Sequence, residues 1–466
     1  MHVRWTIIVC LIGILGVIAA VLVQRSGPAG GMRDRQANRP LLAPGALPVD
    51  EVDRITLKRP GRPEMVFVRD EAIWEQSEPF AHPMQAHSIR ELAVLAGELV
   101  VIGTIEAGEG AAAPSPATVG LEPPLAEITY GWSQGSVSLK LGRRGIAGRA
   151  YLQIAGSATI HIVNQDLHER AVDMDVKEWR DRRIFQNAGI DSERIEIDST
   201  GVAIVLGRDR RQWKMQSPVS SRLDDAARDE LLAVLSRAQS GGFILDEPDD
   251  LTRFGLADPA GSVTVVTMRR YEEGGEIVRR PDTQRLLVGA RIGVGSQDRF
   301  GMVEGWPVVV RIGEPVLRAL FRQPADLVSP IASGVVAADV KTIRINGPGG
   351  EFRLQRDLER WIAPDHGDRD VPPEIVDDLL SALTQARAQQ VELRPYPREL
   401  EVATITMLGF DARPLDTVRI GQLPGTNDQP GAWILENGDN VLRIHSTELS
   451  LPLTPEAFGL PADAAN

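Results

Sequence analysis

The sequence repeats one pattern three times, and this repetition constrains the fold more than any other feature. Trp74, Trp213 and Trp361 follow one another at similar intervals. A short segment of alternating apolar residues precedes each tryptophan at nearly the same distance, starting at Ile55, Ile195 and Ile343. A leucine follows each tryptophan at the same distance in all three copies, at Leu92, Leu231 and Leu379. Because these landmarks recur in the same order, the sequence predicts three tandem copies of one module.

Each copy combines strand and helix patterns. The segments before the tryptophans alternate apolar and polar residues, which is typical of half-buried strands. In copies two and three, the recurring leucine is accompanied by two others at i+1 and i+4, which places them on one apolar helix face: Leu232 and Leu235, and Leu380 and Leu383. The predicted helices span 85–100, 223–239 and 374–387.

A second set of strands follows the helix in each copy. An apolar residue followed by glycine recurs at Leu141, Val288 and Ile420. The last strand of each set leads into a predicted helical turn that contains Leu167, Leu317 or Leu449. The predicted fold class is therefore α+β: a transmembrane helix followed by three modules, each a mostly antiparallel sheet with one main helix. The repeated tryptophans are predicted to lie in the module cores.

The predicted domains are a transmembrane anchor (1–24), a flexible linker (25–49), module 1 (50–186), module 2 (187–332) and module 3 (333–466). Residues 5–23 carry no charge, and as a helix they would span roughly 28 Å, close to the hydrocarbon core of a bilayer. A cleaved signal peptide is the alternative, although its apolar region is normally shorter. The Gly-, Pro- and Arg-rich residues that follow predict the linker.

The orientation of the predicted anchor has two interpretations. Arg4 precedes the apolar segment, whereas four arginines follow it by residue 39, and the positive-inside rule would place the modules in the cytoplasm. A short tail before a signal-like segment, however, usually stays inside while the remainder is exported. We expect a single-pass protein of the inner (cytoplasmic) membrane with the modules in the periplasm or otherwise outside the cytoplasm.

Composition excludes several classes of function. The formal net charge of −13 argues against a nucleic-acid partner, since such binding depends on clustered positive charge. The single cysteine, Cys10, excludes an intrachain disulfide and cysteine-rich metal sites. The seven histidines include no pair with the spacing of a helical zinc motif, and no nucleophile elbow or phosphate-binding loop is present.

One acidic cluster is the densest group of polar residues. Asp365, Asp368 and Asp370 could supply oxygen ligands to calcium, but their spacing does not fit a helix-loop-helix calcium loop, and we interpret them as a solvated loop. No combination of nucleophile, base and orienting group emerges. The sequence thus predicts no catalytic residues, no metal and no cofactor.

The first copy resembles a known family through several short segments. They are Ile-Thr-Leu-Lys at 55–58, the tryptophan and proline at 74 and 79, Val-Gly-Leu-Glu-Pro at 119–123, Leu-Lys-Leu-Gly at 139–142, and Trp-Arg-Asp-Arg-Arg-Ile-Phe at 179–185. These segments are similar to a domain-of-unknown-function family of membrane-tethered bacterial proteins encoded beside gliding-motility-type ABC transporters. Copy two differs from copy one at the closing segment, where it has Leu-Phe-Arg-Gln-Pro at 320–324. The resemblance implies an accessory or scaffold role near a membrane complex, and it assigns no catalytic residue.

The expected function is a non-enzymatic scaffold or binding subunit, accessory to an ABC-type transport or gliding-type system. Its partners would be the membrane and a membrane-protein complex, with Arg180, Arg182 and Arg183 as the candidate contact. One alternative is a cell-envelope hydrolase with paired carboxylates between modules. Another is an array of carbohydrate- or peptide-binding modules, which would need aromatic side chains exposed along one face. The sequence does not identify a small-molecule ligand.

Overall fold

The computed structural model describes residues 39–70, 72–105, 114–199, 201–209, 212–425 and 431–461. The predicted anchor and the first part of the predicted linker lie outside these ranges. Among the described residues, no helix combines the length and apolar character needed to cross a membrane. Contacts divide the chain into unit 1, Met1–Asp181, and unit 2, Arg182–Asn466.

Unit 1 contains one antiparallel sheet. Its strands are β1 (Arg39–Pro40), β2 (Arg54–Lys58), β3 (Met65–Asp70), β4 (Ile73–Glu78), β5 (His82–Met84), β6 (Val100–Ile105), β7 (Ala126–Trp132), β8 (Gly135–Arg144), β9 (Arg149–Ile154) and β10 (Ile160–Asn164). Helix α1 (Ala86–Gly97) lies between β5 and β6, and the short helix α2 (Asp166–His168) leads into a π-helical turn, Glu169–Asp173, and a 3-10 turn, Val176–Trp179.

Unit 2 contains two antiparallel sheets. The strands of module 2 are β11 (Ser192–Ser199), β12 (Val202–Asp209), β13 (Gln212–Ser217), β14 (Ser221–Arg222), β15 (Gly242–Asp246), β16 (Gly261–Glu273), β17 (Glu276–Arg291), β18 (Arg299–Val303) and β19 (Val308–Ile312), with helices α3 (Asp225–Arg237) and α4 (Glu314–Leu320). The strands of module 3 are β20 (Thr342–Gly347), β21 (Gly350–Asp357), β22 (Arg360–Ala363), β23 (Arg369–Val371), β24 (Gln390–Leu393), β25 (Glu401–Leu408), β26 (Pro414–Leu423), β27 (Ala432–Glu436) and β28 (Val441–Ser446), with helix α5 (Pro373–Thr384).

The three sheets share one topology. Their orders are β5-β4-β3-β2-β7-β8-β9-β10-β6, β14-β13-β12-β11-β16-β17-β18-β19-β15 and β23-β22-β21-β20-β25-β26-β27-β28-β24, and β1 adds one further edge strand to the first. In each module the main helix carries the chain from one edge of the sheet to the other. The predicted tandem modules of mostly antiparallel sheet are confirmed, whereas the exact domain boundaries stay a prediction.

The repeated residues form the cores. Trp74, Trp213 and Trp361 are 4%, 8% and 4% exposed. The two alternating apolar residues of β2, β11 and β20 are buried in every copy because successive strand residues point to opposite faces. The recurring leucine of each copy is also buried, on α1, α3 and α5. Burial of each such leucine contributes about 1.5–3 kcal/mol to the stability of the module and so holds the helix against its sheet.

Two predicted features differ from the structure. Part of the predicted linker, from residue 39 to 49, packs on module 1: β1 pairs with β6, and Leu42 and Leu47 join the core, each 8% exposed. Leu449 lies in a bend and not in a helical turn. The hydroxyl of Ser446 accepts a hydrogen bond from the N–H of Glu448 at 3.0 Å, which closes a tight turn in place of a helix.

Candidate functional site at the contact between modules 2 and 3

The chain passes from module 2 to module 3 along the edge strand β14. The N–H of Ser329 donates to the carbonyl of Arg222 at 2.8 Å, and the N–H of Asp224 donates to the carbonyl of Leu327 at 2.9 Å. Leu327 and Val328 are buried. The connecting segment therefore pairs with the edge of module 2 before it enters module 3, and it is not a free linker.

Arg443 of β28 is the centre of this contact and is completely buried. Its Nε donates to the carbonyl of Ser329 at 2.9 Å, and its Nη1 donates to the carbonyl of Val441 at 3.1 Å. Its Nη2 binds the Asp439 carboxylate at 2.7 Å, and its Nη1 binds the other oxygen at 3.2 Å. The hydroxyl of Ser221, on module 2, also donates to Asp439 at 2.6 Å. One planar guanidinium thus joins backbone and side chains of both modules.

A second ion pair joins the helices of the two modules. Asp224 is the N-cap of α3, and its Oδ1 accepts from the N–H groups of Ala226 and Ala227 at 2.9 and 3.0 Å. Its Oδ2 accepts from Arg387, just after α5, at 2.6 Å. Burial raises the pKa of the Asp224 carboxyl, but the hydrogen bonds from Ala227 and Arg387 outweigh it and hold that pKa below its usual range.

Replacing Asp224 with alanine is expected to lower the free energy of unfolding of unit 2 by about 1–2 kcal/mol, because the cap of α3 is lost together with the ion pair to Arg387. Since the folded-state pKa is lowered, this contribution is present above the ordinary carboxyl pKa of about 3.9 and is lost as the pH falls through the folded value. Denaturant unfolding at neutral and acidic pH measures both effects. The control is Asp225→Ala, at an exposed neighbour in the same helix turn, with an expected change within about 0.5 kcal/mol. Equal losses of unfolding free energy in both variants would show that the cap and the ion pair of Asp224 do not provide this stability.

A groove of about 360 Å³ opens beside this network. It is lined from module 2 by Gln212, Lys214, Ser220, Ser221 and Arg222 and from the following segment and module 3 by Gly334, Val335, Leu415, Asp416, Asn437 and Asp439. A Cβ on Gly334 would lie 2.7–2.8 Å from the Arg222 guanidinium, so a side chain there would displace that guanidinium. Burial and the nearby charge of Arg443 lower the pKa of Arg222.

The two carboxylates of the groove are occupied by structural hydrogen bonds. Asp416 accepts from the hydroxyl of Ser333 at 2.6 Å, from the amide of Asn437 at 3.3 Å and from the N–H of Thr417 at 2.9 Å. Asp439 accepts the bonds from the two modules given above. Among the described residues that line the groove, both acids belong to module 3 and module 2 contributes none. The bonds to Asp439 help to hold the two modules together, whereas those to Asp416 lie within module 3.

The three predicted contact arginines differ in their exposure to solvent. Arg180, in unit 1, is 4% exposed, and its guanidinium stacks on the ring of Phe80 at 5.0 Å. Its carbonyl accepts a hydrogen bond from Gln85 at 3.0 Å. Arg182 and Arg183, at the start of unit 2, are exposed. Arg180 therefore packs within unit 1, and only Arg182 and Arg183 present side chains to solvent.

The predicted acidic loop also forms ion pairs with arginines. Asp365 binds Arg353, with Oδ2 at 3.1 Å from Nε, and Asp370 binds Arg360 at 3.0 Å. Within the ranges that the structure describes, no three His, Cys, Asp or Glu side chains converge in a group able to hold a metal ion.

Comparison with known proteins identifies the family. The model of the family described as "Domain of unknown function (DUF4340)" matches residues 110–244 and 213–413, which together cover more than half of the chain. The chain therefore belongs to this family. The matched ranges cross the module boundaries, so the family assignment extends over parts of all three modules. No curated protein matches the chain.

Proposed function

We propose that this protein is a membrane-anchored scaffold or binding subunit that acts outside the cytoplasm. The observation that carries the proposal is the buried contact of Arg443 and Asp439 with module 2. It supports a fixed arrangement of two sheet modules, which is what a scaffold needs in order to present separate surfaces to a partner. The uncharged segment at 5–23 supports a membrane anchor.

The partner that we propose is a membrane-protein complex of an ABC-type transport or gliding-type system. This part of the proposal rests on the resemblance of the module segments, since the family itself is one of unknown function. Arg182 and Arg183 are the proposed contact, because they are exposed and adjacent and arginine is enriched in binding hot spots.

The alternatives have less support. A hydrolase would need a carboxylate free to move a proton, whereas Asp416 and Asp439 each accept several hydrogen bonds. A carbohydrate-binding array would need aromatic rings in solvent, but the tryptophan that recurs in each module is buried.

In-cell crosslinking of the full-length anchored protein, followed by purification, tests the contact. We expect wild type to recover subunits of a membrane complex, and Arg182→Ser combined with Arg183→Ser to reduce recovery about tenfold or more, as for the loss of hot-spot residues. The control is Arg413→Ser, at an arginine that is 85% exposed in module 3. Equal recovery from the wild type and the double variant would remove these arginines from the contact. Recovery of no membrane-complex subunit by the wild type would contradict the proposed function itself.

A further inference from the structure

Module 2 contains a cavity of about 430 Å³ between α4 and the hairpin of β17 and β18. This volume falls in the usual range for small-molecule sites. Its lining includes the charged or amide side chains of Arg291, Gln297, Arg299, Glu314 and Arg318 and the apolar side chains of Leu317 and Phe321. The cavity is distinct from the groove beside module 3.

The cavity has an excess of positive charge. Arg291 and Arg299 are direct cross-strand partners, an arrangement in which like charges destabilise a sheet. Arg299 donates to the carbonyl of Gly289 at 2.8 Å, and the two arginines form no ion pair within the described part of the chain. Arg318 is different, because it pairs with Glu314 one helix turn earlier.

In module 1 the arginine at the position equivalent to Arg291 is neutralised by acids of the same module. Arg144 and Arg291 each follow a β-bulge, two residues after the repeated glycine of β8 or β17. Arg144 binds the carboxylates of Glu169 and Asp173, both at 3.0 Å, and its cross-strand partner is Ala150. In module 2 the cross-strand partner of Arg291 is Arg299 and not an alanine, and the carboxylate that lines the cavity, Glu314, pairs with Arg318.

The other wall of the cavity is apolar. Leu317, Phe321 and Val288 line the same cavity as the arginines. A Cβ on Gly261 would lie 2.8 Å from the Phe321 ring and 2.8 Å from the carbonyl of Asp198. The glycine thus lets the ring pack directly on the sheet and form part of the cavity wall.

We propose that this cavity binds a small amphipathic organic anion. Its carboxylate or phosphate group lies between Arg291 and Arg299, whose planar donors match an oxyanion. Its apolar part lies against Leu317 and Phe321. This inference does not depend on the scaffold proposal.

Calorimetric titration of the full-length chain in nanodiscs of zwitterionic lipid tests it, with hexyl phosphate, hexanoate and hexanol as probes. We expect at least one of the two anions to bind, and hexanol to bind about tenfold more weakly or not at all, since charge-assisted hydrogen bonds are the strong ones. Comparison of the affinities for hexyl phosphate and hexanoate identifies the preferred oxyanion.

Three variants locate the binding. Arg291→Gln combined with Arg299→Gln is expected to weaken anion binding about tenfold or more, and Leu317→Trp to reduce it by filling the cavity while both arginines remain. Arg144→Gln, at the equivalent position of module 1, is expected to leave the affinity unchanged. Circular dichroism confirms that each variant is folded. Unchanged affinity in the folded Arg291/Arg299 variant, or no anion binding by the wild type, would overturn the inference.

Discussion

Replacing Arg443 with alanine is expected to lower the free energy of unfolding of unit 2 by about 3–5 kcal/mol. The side chain is completely buried, and its loss leaves the Asp439 carboxylate, which is 11% exposed, without its cation. The carbonyls of Ser329 and Val441 lose their donor as well. Breaking one side of a buried ion pair is costly because the remaining charge stays desolvated.

Denaturant unfolding of the variant measures this loss. Two further variants show whether the loss comes from the unpaired buried charge. Arg413→Ala removes an exposed arginine paired with Asp411 and is expected to change stability by no more than about 0.5–1 kcal/mol. Arg443→Met combined with Asp439→Ala removes both charges and is expected to regain part of the stability, since no buried charge remains unpaired. A loss below about 1 kcal/mol for Arg443→Ala would show that the network does not hold modules 2 and 3 together.

Mild acid is expected to destabilise both units through two buried histidines. Burial lowers the pKa of His168, in unit 1, to about 4, and burial together with the charge of Arg443 lowers the pKa of His445, in unit 2, to about 4. The Nε2 of His168 donates to the carbonyl of Tyr151 at 2.8 Å, so the neutral ring fits its site without a second proton.

The sign of the effect follows from proton linkage. Between the ordinary histidine pKa of about 6.5 and the folded value of about 4, the unfolded chain binds more protons than the folded chain. The contribution of each neutral histidine is therefore complete above pH 6.5 and is lost as the pH falls toward 4. The expected loss is about 3 kcal/mol for each unit.

Thermal unfolding between pH 4 and 7.5 checks this second prediction. His168→Gln and His445→Gln remove the titrating group, and each is expected to flatten the pH dependence of its own unit only. His87→Gln, at an exposed histidine of α1, controls for removal of a histidine from the surface. A pH dependence that is the same in wild type and in both buried-site variants would exclude these histidines as its source.

The repeated architecture was predictable because it depends on local periodicity. Alternating apolar residues specify β2, β11 and β20, and leucines at helical spacing specify α3 and α5. The helix predicted at 223–239 begins two residues before the observed α3, whose N-cap is Asp224. The edge strand β1 has only two residues, Arg39 and Pro40, and carries no such signal.

The contact between modules 2 and 3 was not predictable from the sequence. Ser221 and Asp439 are 218 positions apart, and no spacing rule connects them. Arginine and aspartate are normally surface residues, so the burial of Arg443 depends on partners that only the folded chain supplies. The burial of Arg180 was not predictable for a related reason. Four consecutive charged residues suggest one exposed face, but Arg180 turns inward to stack on Phe80.

Protease accessibility in spheroplasts tests most directly our proposal that an anchor holds the three modules outside the cytoplasm. The full-length chain carries a tag at the end of module 3, and protease is added before and after lysis with a cytoplasmic protein as the control for integrity. We predict that the modules are cleaved in intact spheroplasts while the cytoplasmic control survives. Modules that are protected until lysis would contradict the claim and place the search for partners in the cytoplasm.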